Sequence, residues 1–94
     1  MMLSAAEIEI SLHGKEIYSL KEKRTIVKSI LKRVSQRFNV SIAETSDHDD
    51  LNRIVLGIAS VSVSKRNSDK VIQGVIKFIE LEYHLDLTIS SYEV

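Results

Sequence analysis

Lys21, Arg24, Lys28 and Lys32 follow one another at intervals of three, four and four residues, so on a helix they form a single ladder of cations. Such a ladder suits the successive phosphates of an RNA helix, and affinity of that kind falls steeply as salt rises. Arg53, beside an acidic loop, is a further candidate for the same contact. The competing reading is a solvated helix face that binds nothing. Arg33 and Arg37 lie on the other side of the helix's apolar stripe from the ladder.

Other chemistry-bearing residues give weaker patterns. Asp47-His48-Asp49-Asp50 offers carboxylates and an imidazole, the donor types of a divalent-ion site. It lacks the glycine and spaced acidic ligands of a calcium loop, and Asp is also an ordinary turn former, so no metal is expected. His13, His48 and His84 fall in a loop, a turn and a helix end, with nothing to bring them together. Glu7 and Glu9 share one strand face and could pair, although solvated strand positions account for them equally well. No nucleophile elbow, phosphate-binding loop, dinucleotide fingerprint or paired metal motif occurs, so neither an enzyme nor a cofactor is expected. The chain has no Cys, which excludes disulfides, thiolate nucleophiles and zinc–thiolate sites.

The element that must carry the cations is a helix opened by Ser19-Leu20-Lys21-Glu22 and running to about Phe38. Ser19 and Glu22 form a capping box, each side chain accepting from the other's backbone N–H. Leu20, Val27, Ile30, Leu31, Val34 and Phe38 give the stripe that faces a core. Lys23 falls within that apolar arc. Two readings stay open for it: its stem lies on the core while its ammonium snorkels to water, or it pairs with Glu44 or with the 47–50 loop and pins that loop to the helix start.

Around this helix the spacing predicts a strand over Leu3 to about His13, with Ala6, Ile8, Ile10 and Leu12 inward, and His13-Gly14 opening a loop. Asn39 to Thr45 alternates again, with Val40 and Ile42 inward. Arg53 to Ser64 is rich in β-branched residues. Either parity is apolar up to residue 58 and only the Val61/Val63 parity afterwards, which turns Val55, Gly57, Ala59, Val61 and Val63 toward the helices. Asn67 or Ser68 caps a second helix through about His84, with Gly74 inside it for close packing. Leu85, Leu87 and Ile89 form a last strand.

That order is βαββαβ, a single α+β domain over residues 1–94 with the ferredoxin-like split βαβ architecture. A four-stranded antiparallel sheet carries two helices on one face, with the first and third strands central. On this register Ile54, Leu56 and Ile58 lie on the open face of the sheet beside Ala43 and Ala5, an apolar strip that suits a homodimer or a small-ligand-binding module. The strip has no aromatic residue on which RNA bases would stack.

Composition bounds the rest. In 94 residues, 13 Lys and Arg balance 13 Asp and Glu, which argues against binding nucleic acid by bulk charge. The distribution is uneven: Lys15 to Arg37 holds eight Lys or Arg against two Glu, and Glu44 to Asp50 holds four carboxylates with no Lys or Arg. No apolar run approaches the ~20 residues of a membrane span. The N-terminus also lacks a basic-then-apolar leader, so a soluble, cytoplasmic domain is expected.

Ser19-Leu20-Lys21-Glu22-Lys23-Arg24, Val27-Lys28-Ser29 and Arg37-Phe38-Asn39-Val40-Ser41-Ile42-Ala43-Glu44 resemble the YlxP-like family of small bacterial proteins, a domain-of-unknown-function family. The resemblance continues through Asp49, Arg53, Leu56-Gly57-Ile58-Ala59 and Val61-Ser62. It implies a ferredoxin-like fold with no established catalytic residues. It also implies, by gene neighbourhood, an association with RNA or a ribosomal particle. The family usually places a Trp between the positions matching Asp49 and Arg53, where this chain has Leu51.

Overall fold

Alternating aliphatic and polar residues at the N-terminus build β1 (Met2–Ser11) in the computed structural model, which describes residues 2–12 and 17–93. His13 and Gly14 lie outside the described residues. The chain continues through α1 (Leu20–Arg37), β2 (Ser41–Ser46), β3 (Arg53–Ser62), α2 (Lys65–Tyr83) and β4 (Asp86–Glu93). The strands form one antiparallel sheet in the order β2-β3-β1-β4, with β1 and β3 central as the ferredoxin-like reading expects. No helix of the described residues is long and apolar enough to cross a membrane.

Both helices are amphipathic and bury one stripe each. Val27, Ile30 and Val34 of α1 and Ile72, Val75, Ile76 and Ile79 of α2 meet Ala6, Ile8 and Ile10 of β1 in one core, against which Val40 and Ile42 pack partly buried.

The open-face assignment of β3 is overturned. Ile54, Leu56 and Ile58 are at most 2% exposed and belong to the core beneath the helices, so they form no oligomer interface. The reason is register: β1 pairs with β3 so that Ile10 faces Ile54, Ile8 faces Leu56 and Ala6 faces Ile58. Directly opposed residues share a sheet face, so the inward parity of β1 dictates that of β3. Volume agrees, because Gly57 and Ala59 are too small to fill the space between sheet and helices. Val61 and Val63, which had set the parity, are exposed apolar residues at 55% and 89%. Val55 is buried on the opposite parity but outside the core cluster, which is why both parities read as apolar there.

The second helix starts earlier than Asn67 or Ser68. Ser64 is its cap, its Oγ accepting from the Asn67 N–H at 3.1 Å, and Ser68 is wholly buried inside the helix. Lys65 and Arg66 are good helix formers and occupy the first turn. The helix stops at His84, whose φ of 52° is left-handed and whose N–H reaches the Glu80 carbonyl. Gly74 does serve close packing: a Cβ there would lie 3.3 Å from Phe38 Cε1.

Candidate nucleic-acid interface and the loop beside it

The start of α1 is fixed by local hydrogen bonding. Ser19 Oγ accepts from the Glu22 N–H at 3.2 Å. The Glu22 carboxylate accepts from Tyr18 N–H at 3.2 Å, one residue before the partner a capping box would supply. With Lys23, Val27, Ile30 and Val34 buried, the helix rotation is set, and Lys21, Lys28 and Lys32 emerge on roughly the opposite side. At ~100° per residue these three fall within about 40° of one another. All three are exposed, and none has a carboxylate partner among the described residues.

The other two expected phosphate contacts differ. Arg24 lies 3.8 Å from Asp49, with both side chains largely in water, so the pair is weak. Arg53 is occupied: its guanidinium reaches Asp47 at 3.1 Å, Asp50 at 3.3 Å and Glu9 at 3.5 Å. Asp47 and then Glu9 hold its pKa above the ordinary arginine value. With three of the chain's own carboxylates around it, this guanidinium holds the β2–β3 loop and is less available to a phosphate than the ridge lysines.

Among the described residues Lys23 is the most buried charge, at 1% exposure. Its ammonium donates to the carbonyls of Asp47 at 2.6 Å and His48 at 3.2 Å, and lies 3.4 Å from Glu44 Oε2. It does not snorkel. Instead it holds the β2–β3 loop against the first turns of α1, with Asp47 in a left-handed conformation at φ 55°. The loop is knit further by Asp50 N–H to the Asp47 carbonyl and by Asn52 N–H to Asp50 Oδ1. His48 Nε2 donates to the Glu44 carbonyl at 3.0 Å, which requires the Nε2–H tautomer. Among the described residues no three His, Asp or Glu side chains converge as a metal would need.

Sequence reasoning missed a second cationic cluster. Arg33 forms a 2.9 Å ion pair with Glu82 and lies over Phe78 and Tyr83, and Arg37 lies over Phe78 at 5.1 Å. Its pairing with Glu82, then Tyr83, raises the pKa of Arg33. The signal was present: Arg33 and Arg37 are one turn apart, as are Phe78 and Glu82, so two helices packed side by side match them. The open sheet face is lined by Ala5, Glu7, Ala43, Thr45, Gly57 and Ala59, a shallow surface of small side chains in place of the aliphatic strip.

Compared with known proteins, residues 4–92 match the family described as "Protein of unknown function (DUF503)". The "Uncharacterized protein YlxP" of Bacillus subtilis (strain 168) is 40% identical over 92 residues, covering 98% of each chain. A de novo designed protein with ferredoxin fold, solved by solution NMR, superposes with a TM-score of 0.61 at 20% identity, over all of this chain and 88% of its own. That likeness concerns the fold alone.

Proposed function

For a chain that belongs to the DUF503 family, we propose a non-catalytic domain that associates with RNA or a ribosomal particle through the outer face of α1. The observation that carries this reading is the trio Lys21, Lys28 and Lys32: exposed, on one ridge, and free of acidic partners among the described residues. A net charge of zero does not oppose it, because the ridge lysines lie on the side of α1 away from Lys23, which grips Glu44 and the acidic β2–β3 loop. The positive potential is therefore local to the ridge.

Contacts from a single convex helix favour recognition of backbone and shape over sequence. The test is binding of a structured RNA hairpin by the wild type and by the Lys28→Glu, Lys32→Glu double variant. Salt-sensitive binding by the wild type that the charge reversals abolish supports the reading. Equal binding by both, or none by either, ends it.

A further inference from the structure

Where the end of α1 meets α2, the helices leave a groove of about 400 Å³. Its apolar lining is Phe38, Phe78, Leu81 and Gly74, with Arg37 and Lys77 exposed beside it. Leu81 is 65% exposed beside Phe38 and the buried Phe78, whose rings meet edge to face. The lining's one carboxylate, Glu82, is taken by Arg33 at 2.9 Å. Arg37 and Lys77 have no acidic partner among the described residues, so the groove is apolar inside and positive at its rim. Gly74 keeps it open, since even a methyl group there would press on Phe38.

We propose that this groove docks an acidic segment of a partner protein, inserting one bulky apolar side chain beside Leu81 while flanking carboxylates meet Arg37 and Lys77. Charge complementarity selects that occupant. Nucleic acid fits less well, because both guanidiniums lie over Phe78 and Phe38 meets it edge-on, leaving no open ring for a base. A second copy fits less well too: in the chain's own acidic loop the Asp47 and Asp50 carboxylates are held by Arg53.

The test is fluorescence anisotropy of a labelled peptide alternating glutamate with leucine, titrated with the full chain. Two control peptides carry glutamine for glutamate or alanine for leucine. Saturable binding of the first peptide alone is expected, weakened about tenfold by Lys77→Glu and comparably by Leu81→Ser. Both positions are exposed, so neither change threatens the fold. Lys28→Glu, on the RNA ridge, leaves peptide affinity unchanged, which separates this proposal from the RNA reading. Absence of binding, equal binding of the glutamine peptide, or indifference to Leu81→Ser overturns it. So does displacement of the peptide by an RNA hairpin, or dimerisation of the chain that Leu81→Ser abolishes.

Discussion

Replacing Lys28 and Lys32 by glutamine removes two charges from the α1 ridge without disturbing a packed contact, since both side chains are exposed and glutamine is a good helix former. Among the described residues three lysines on that ridge have no carboxylate partner, so the wild type should neutralise about three phosphates. Taking ~0.9 counterion released per phosphate, the slope of log affinity against log salt is about −2.7 for the wild type and about −0.9 for the variant. Between roughly 50 and 200 mM salt, the wild type then loses about 40-fold in affinity and the variant about fourfold. Anisotropy titrations of a labelled RNA hairpin across that range measure both slopes. Arg53→Gln is the internal control: with its guanidinium already held by Asp47, Asp50 and Glu9, the slope should not move. Equal slopes for wild type and double variant, or a slope that falls with Arg53→Gln, would refute the assignment of phosphate contacts.

Three further outcomes follow from the packing. Lys23→Met strands two carbonyls and the Glu44 carboxylate, and should cost about 3 kcal/mol in urea denaturation. Adding Glu44→Leu should recover part of that loss. Leu56→Ala should destabilise by roughly 2–5 kcal/mol and leave the sedimentation behaviour of the folded fraction unchanged, because Leu56 is core and not interface. Arg53→Gln should accelerate amide hydrogen exchange at Asp50 and Asn52, whose loop it holds, while exchange in β1 stays slow.

The parts of this fold that were legible in the sequence are those with one dominant period. The 3.6-residue stripe of α1, its Ser19 cap, the alternation of β1 and the strand order all followed from local pattern and handedness. The parity of β3 did not, because Val55 is buried on the opposite side from its neighbours and exposed Val61 and Val63 mimic a buried face. Pairing with β1 settles that parity, and pairing is a non-local fact. In the candidate site, the exposed lysines were legible from helix spacing alone. The sequestration of Arg53 was not, since Glu9 and Asp47 reach it from other parts of the chain.

The grip of Lys23 on the β2–β3 loop bears on how the molecule avoids its own kind. β2 is an outer strand only six residues long, with one side of its backbone unclaimed. Strands so placed invite pairing with neighbouring molecules once they loosen. Because one ammonium ties the loop at the end of that strand to α1, loosening β2 from the sheet strips a buried charge of its partners, which holds the strand short and in place. A chain deprived of that ammonium should aggregate on gentle heating well before its helices melt.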